Sequence, residues 1–269
     1  MDQVVGDLGV EKLIGRKDGA IGWMIFNNPE RRNAVSLDMW RAIPAVLAAF
    51  EADPEIRVVV FTGAGEKAFV SGADISQFEA ERSDSSAEAR YSGASAAANV
   101  AMAGLSKPSI AMIRGYCIGG GLAVALTCDM RICETGSRFA IPAARLGLGY
   151  GFAGIKTLID LVGPAIAKEI LFTARQFSAE EALRVGLVNR VAPAAELEGL
   201  VREYAAMIGA NAPLTIRAAK MAAREALRDP DKRRLAEVEA AVAACFDSAD
   251  FKEGRTAFMA KRAPMFRGS

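Results

Sequence analysis

The sequence contains no histidine. Ser-His and Cys-His nucleophilic machinery is therefore excluded, and so are metal sites built on imidazole. Any chemistry must use carboxylates, Tyr, Lys, Cys or the backbone, and no metal site is expected. Cysteine is scarce as well: Cys117, Cys128, Cys133 and Cys245 stand in apolar surroundings without C-x-x-C spacing, which fits reduced core thiols better than a disulfide framework or a zinc site. Charge of one sign is missing. Against 33 basic residues stand 32 acidic ones, for a net charge of +1, and no long like-charged run supplies the basic stripe that counterion-release binding to nucleic acid requires. Nucleic acid is not an expected partner. The apolar run from Gly115 to Cys128 falls short of the roughly 20 residues that span a bilayer. The N-terminus, "MDQVVGDLGVEK", carries acids and no signal-peptide core, so the sequence predicts a cytoplasmic protein without a membrane partner.

What is present is a large apolar complement. At 269 residues, 52% of them hydrophobic, the chain suits one large domain or a domain with an appendage, at about 100–200 residues per domain. Short β-rich runs, "AIGWMIFN" (20–27), "RVVVFTG" (57–63), "PSIAMIRG" (108–115) and "MRICE" (130–134), alternate with helical stretches in the first half. The last three are nearly continuous apolar or β-branched runs, the mark of buried strands. Ser36 is placed to N-cap a helix over 37–52 that stops at Asp53-Pro54, and "SDSS" to cap an Ala-rich helix ending near Leu105. Strand and helix in that rhythm give an α/β architecture. After about residue 150 the β-pattern disappears: a Ser178/Glu181 capping box and Gly186 bound one short helix, longer ones follow near 195–211, 214–228 and 230–247, and a final short one spans about 250–262.

Two glycine-rich turns stand out. In "RGYCIGGGLAVALTCD" (114–129) Gly119-Gly120-Gly121 separate an apolar strand from an apolar helix whose first free amides carry the positive end of the helix dipole. In "GAGEKAFVSGADI" (63–75) another strand leaves through a glycine loop, with Asp74 placed to N-cap a helix starting near Ile75. Two helix starts after core strands can converge N–H groups on one oxygen, the device that stabilises a developing oxyanion in acyl-group enzymes. Neither a phosphate loop of the G-x-x-x-x-G-K-[ST] kind nor G-x-G-x-x-G is present.

Five segments carry a family resemblance, in order along nearly the whole chain: "AFVSGADI" (68–75), "KPSIAMIRGYCIGGGLAVALTCDMRI" (107–132), "FAIPAARLGL" (139–148), "GPAIAKEILFTARQFSAEEALRVGLVNRV" (163–191) and "FKEGRTAFMAKRAPMF" (251–266). Together they resemble the enoyl-CoA hydratase/isomerase (crotonase) superfamily. The resemblance implies a crotonase spiral of β-β-α turns over residues 1–195 and a helical C-terminal region, 196–269, making trimer contacts. It implies that the amides of Ala73 and Gly120 form the oxyanion hole for a CoA thioester enolate, with the thioester as substrate and no separate cofactor. For CoA it implies the backbone from Ala73 through Asp74 and Ile75 to Ser76, Arg31 as a phosphate partner, and Phe258 and Lys261 reaching across from a neighbouring subunit of a homotrimer or dimer of trimers.

The family's hydratases place glutamates three residues beyond the oxyanion-hole glycine and directly after the Pro of F-x-x-P-E, positions that here are Ala123 and Ala143. Hydration is therefore expected to be weak, since each positioned acid or base contributes about 10²–10⁴ in rate. The C-terminal half is also similar to methylmalonyl-CoA decarboxylases, where a tyrosine stands at the position of Tyr150. Two further alternatives follow: decarboxylation of a malonyl-type thioester using Tyr150, and non-catalytic acyl-CoA binding. Tyr150 also suits plain packing with its hydroxyl bonded to a neighbour. Arg145 suits a surface position, Cys117 the core, Asp129 a structural charge, and Glu79 and Glu81 a solvated face.

Overall fold

The computed structural model describes residues 3–4, 11–72 and 85–269. Two sheets organise it. The larger has seven strands in the order β1-β2-β3-β4-β6-β8-β11, and the smaller four in the order β10-β9-β7-β5. They are β1 Gln3–Val4, β2 Leu13–Asp18, β3 Ile21–Phe26, β4 Val58–Gly63, β5 Ala68–Val70, β6 Ser109–Ile113, β7 Tyr116–Ile118, β8 Met130–Glu134, β9 Arg138–Ala140, β10 Phe177–Ser178 and β11 Arg190–Ala192. β1, β2 and β3 form an antiparallel start, after which β3, β4, β6, β8 and β11 pair in parallel.

The chain winds. β4, β6 and β8 lie in the large sheet, and each is followed within a few residues by β5, β7 or β9 in the small one. Helix α1 (Leu37–Ala52) precedes the first of these pairs, and helices α2 (Ser85–Gly104), α3 (Gly120–Thr127) and α4 (Phe152–Thr173) follow the three in turn. This is the expected spiral of strand-strand-helix turns. Its strands read as continuous apolar runs because both faces are covered: every residue of β4 and of β6 is buried.

Local signals act where the sequence places them. The Ser36 hydroxyl accepts a hydrogen bond from the Met39 N–H at 3.3 Å, starting α1. Ser178 Oγ accepts from the Glu181 N–H while the Glu181 carboxylate accepts from the Ser178 N–H, closing the capping box of α5 (Ala179–Arg184). Gly163, at φ +76°, breaks α4 into two helical halves with Pro164 opening the second. One expectation is corrected: β-structure does not end at residue 150, because β10 and β11 follow. They span two and three residues, too short for a period to register, and they form because β9 and β8 offer free edges.

α6 (Leu197–Gly209) lies on the large sheet, where Leu197, Val201 and Ala205 pack with Trp23, Val58, Val60, Ile110 and Ile132. α7 (Pro213–Ala226), α8 (Leu235–Asp247) and α9 (Ala249–Met259) complete the chain. α8 buries none of its residues, and Leu235, Val242 and Phe246 stand exposed on it. Among the described residues no helix is long and apolar enough to cross a membrane, and no cluster of potential metal ligands occurs.

Candidate active site

The glycine triplet sits where β7 of the small sheet turns into α3. Gly119 takes φ +56°, a left-handed conformation, and its N–H donates to Ala140 O at 2.8 Å. α3 begins at the next residue, so the Gly120 N–H has no intrahelical acceptor and lies at the positive end of the helix. Gly121 is glycine for a different reason. A Cβ there would stand 1.8 Å from Val70 O, so the first turn of α3 rests directly on the backbone of β5.

The second glycine turn comes to the same place. Gly72 has φ +111°, and a Cβ on it would lie 3.6 Å from the Gly120 nitrogen and 3.5 Å from Ile118 O. The two loops singled out in the sequence therefore meet at Gly72 and Gly120. Ala73, Asp74, Ile75 and Ser76, together with Glu79, Glu81 and the first residues of the "SDSS" cap, lie outside the described residues.

A loop from which sequence reasoning took only Arg31 holds this junction. The Val35 N–H donates to Gly72 O at 2.9 Å, the Ser71 N–H to Arg32 O at 3.1 Å, and Ser71 Oγ to Arg31 O at 3.3 Å. The loop is itself fixed by Asn33, fully buried at φ +57°. Its Nδ2 donates to Ala68 O at 2.7 Å and Ala64 O at 2.9 Å, and its Oδ1 accepts from the Asn28 N–H at 3.0 Å. Asn28 and Asn33 in "NNPERRNAV" were the available signal, since Asn tolerates left-handed backbone and bonds to neighbouring main chain. Arg31 is exposed on a 3-10 turn, Pro29–Arg31, beside the clamp, and the Arg32 guanidinium stacks over the Tyr116 ring at 5.1 Å.

Both alanines flank the junction. Ala123 is one turn into α3, its N–H donating to Gly119 O at 3.1 Å, and is partly exposed. Ala143 lies on the 3-10 turn Pro142–Leu146, whose first residue would be 3.8 Å from a Gly119 Cβ. Neither carries a proton-transfer group. Tyr150 is half-buried against the core, and its ring covers Gly154, where a Cβ would come within 2.7 Å of Cε1. Among the described residues its hydroxyl has no hydrogen-bond partner, which departs from the expected bond to a neighbour. Burial raises its pKa, so at neutral pH it is a phenol with a proton to donate.

Of the remaining candidates, Cys117 lies on β7 just before the turn and Arg145 on the same 3-10 turn as Ala143. Cys117 is fully buried, and burial pushes its thiol well above the ordinary range; Cys128 and Cys133 are pushed up to about 12 by the same cause. None is a thiolate nucleophile. Asp129, beyond the far end of α3, accepts from the Ser109 N–H at 2.7 Å and from Lys220 Nζ at 2.6 Å, which fastens α7 to the sheet. Arg145 is exposed. Phe258, 83% exposed near the end of α9, and Lys261, exposed at φ +50°, do not pack against the body of this chain.

Residues 16–269 match the family model described as enoyl-CoA hydratase/isomerase. A short-chain-enoyl-CoA hydratase of Clostridium acetobutylicum is 36% identical over 253 residues, covering 94% of this chain and 96% of that protein. A carnitinyl-CoA dehydratase of Salmonella typhi is 35% identical over 262 residues, covering 96% and 99%. Among solved structures, an enoyl-CoA hydratase/carnithine racemase from Magnetospirillum magneticum superposes with a TM-score of 0.89 at 34% identity, covering 97% of each chain. A spiral in which two glycine turns meet at the head of a buried helix, matched in sequence almost end to end, places this chain in the enoyl-CoA hydratase/isomerase family.

Proposed function

We propose that the protein binds acyl-CoA thioesters and stabilises a thioester enolate with the Gly120 N–H as one donor and the Ala73 N–H as the second. The observation that carries this reading is the meeting of Gly72 and Gly120 at the positive end of α3. Each donor aimed at the developing oxyanion is worth on the order of 3–4 kcal/mol. The Ala73–Ser76 backbone with Asp74 and Ile75, and the exposed Arg31, are the proposed CoA contacts, and the thioester is the substrate with no separate cofactor. Phe258 and Lys261 reach CoA on a neighbouring copy in a homotrimer or a dimer of trimers. The exposed apolar side chains of residues 196–269, Phe246, Phe258, Met259 and Met265 among them, are the surface that such an assembly covers.

Hydration by this site is weak, because water needs a base to attack C3 and an acid to protonate C2, and Ala123 and Ala143 supply neither. Decarboxylation of a malonyl or methylmalonyl thioester is the second reading, favoured by a protonated Tyr150 hydroxyl with no hydrogen-bond partner among the described residues. Loss of CO₂ leaves the bond pair on Cα as the enolate, without proton abstraction. In this reading the phenol orients the departing carboxylate or returns a proton to Cα.

Calorimetry with acetyl-CoA and NMR of α-proton exchange in D₂O test the shared part. No acetyl-CoA binding ends the proposal, and binding without exchange leaves an acyl-CoA binding protein. Parallel assays with crotonyl-CoA and methylmalonyl-CoA separate the reactions. Crotonyl-CoA turnover at the ~10 s⁻¹ of an ordinary enzyme would show that another acid has replaced the missing pair. Tyr150→Phe lowers decarboxylation with unchanged binding if the hydroxyl acts in the transition state, and lowers binding alone if it only holds substrate.

A further inference from the structure

A cavity of about 200 Å³ opens at the other end of the strands. Ile56 and Arg57, just before β4, and the segment 106–108, just before β6, form its floor, and the α6–α7 connection and the C-terminal tail form its wall. β4 alone puts roughly 20 Å between this floor and Gly63, where the Asn33 clamp begins, at about 3.3 Å per residue. The cavity is not the thioester site.

Its charge is one-sided. Arg57, Lys107, Arg217 and Arg267 line it against a single carboxylate, Glu51. Glu51 is committed to the chain, accepting from Ser106 Oγ at 2.7 Å and from the Ser106 N–H. The neighbouring Asp53 carboxylate is held by Lys17 at 2.7 Å, and Glu55 joins the same lysine. Lys107 Nζ donates to two neutral carbonyls, Phe50 O at 2.6 Å and Asp53 O at 2.5 Å, and Arg57 Nη2 to Asn211 O at 3.1 Å. The Arg217 and Arg267 guanidiniums make no hydrogen bond or ion pair among the described residues. Burial lowers the Lys107 pKa; Glu51 and then Asp53 pull it back up, and Arg217 and Arg57 add smaller downward shifts. α7 starts at the same space, with Pro213 first and no side-chain cap on Ala212.

Four cationic side chains line one concave space, and among the described residues the only carboxylate lining it, Glu51, is already hydrogen-bonded, so Arg217 and Arg267 are left to take an outside anion. We propose that this cavity is an anion site for a phosphate-sized oxyanion, either free phosphate or the phosphoryl group of a small metabolite. At about 200 Å³ it is smaller than the roughly 300–1,000 Å³ of drug-sized pockets, so it takes the charged group and not a whole CoA. Guanidiniums supply paired donors for such oxygens, and Lys107 a point charge.

The test is calorimetric titration of inorganic phosphate at constant ionic strength, with and without saturating acetyl-CoA. One phosphate per chain is expected, with a dissociation constant that acetyl-CoA leaves unchanged. In the double variant Arg217→Ala/Arg267→Ala it rises at least about tenfold, the loss of charge-assisted hydrogen bonds, and Arg217→Lys/Arg267→Lys recovers part of it. Both side chains are exposed, so circular dichroism should show the variants folded. Tighter binding of glycerol 3-phosphate than of phosphate would assign the site to a phosphorylated metabolite, and the reverse order to the free ion. No heat with phosphate, an unchanged constant in the alanine variant, or displacement of phosphate by acetyl-CoA would each overturn the proposal. So would a change of oligomeric state in the alanine variant without phosphate binding in the wild type, which would mean that an acidic side chain of a second copy fills the cavity.

Discussion

Gly121→Ala is the most direct probe of how the oxyanion donor is aimed. The added methyl would begin 1.8 Å from Val70 O, a backbone atom of β5, and must retreat by about 1.2 Å to reach even the 3.0 Å that real contacts respect. β5 is fully buried and paired with β7, so the first turn of α3 is the element that yields, and Gly120 moves with it. A displacement of about 1 Å at a reacting centre costs up to roughly 10²-fold, and complete loss of one oxyanion donor about 10²–10³-fold. Overpacking adds about 1–3 kcal/mol of destabilisation. The assay is α-proton exchange of acetyl-CoA in D₂O, followed by NMR beside a thermal melt, with Gly104→Ala as control. Gly104 ends α2 with nothing within 4 Å of a Cβ, so that variant is expected to behave as wild type. Wild-type exchange and an unchanged melting temperature in Gly121→Ala would refute the argument that the contact between α3 and β5 sets the position of the Gly120 amide.

Asn33→Ala leaves the Ala68 and Ala64 carbonyls and the Asn28 N–H unpaired at a buried site, and a loss of about 3 kcal/mol or more by urea titration is expected. Lys220→Met removes the cationic partner of Asp129 and leaves its bonds from Ser109. Because Asp129 is 32% exposed, the cost should fall below the roughly 3–5 kcal/mol of a fully buried pair. Ala123→Glu/Ala143→Glu should raise crotonyl-CoA hydration above wild type, and no gain would show that the pocket lacks hydratase geometry. Alkaline pH should destabilise the fold through Cys128 and Cys133. Burial raises both from an ordinary 9.0 to about 12, so their contribution is complete below pH 9 and is lost as pH rises from 9 to 12, which melts across that window would report. At pH 8 iodoacetamide should label only Cys245, the one cysteine not fully buried.

Much of this was legible in the chain because the signals were local. β4 and β8 fall within one residue of the runs 57–63 and 130–134, and α1 spans the predicted 37–52 behind Ser36, since burial on both faces and a side-chain cap leave their marks within a few residues. β10 and β11 were invisible, because two or three residues joined to an existing edge need no pattern of their own. The glycines pointed to their turns and allowed that the two could converge, without fixing that they do. That Gly72 meets Gly120 is a tertiary fact, and family resemblance anticipated it where periodicity could not. The clamp at Asn33 escaped for the same reason: its acceptors at Ala64 and Ala68 lie over thirty residues away along the chain. Tyr150 was visible as a residue, but the placement of its ring depends on Gly154, which makes room for it.

The backbone bond from Val35 to Gly72 has a consequence for how activity is acquired. The junction needs the opening loop, the exit from β5 and the head of α3 in place together, and these come from three successive windings of the spiral. Helical signal and hydrophobic burial can be recovered winding by winding, whereas the junction closes only after the third has docked on the first. Thioester binding is therefore a late reporter of refolding. After dilution from denaturant, a fluorescent acyl-CoA analogue should recover its bound signal more slowly than circular dichroism recovers at 222 nm, with the lag set by the last winding to seat.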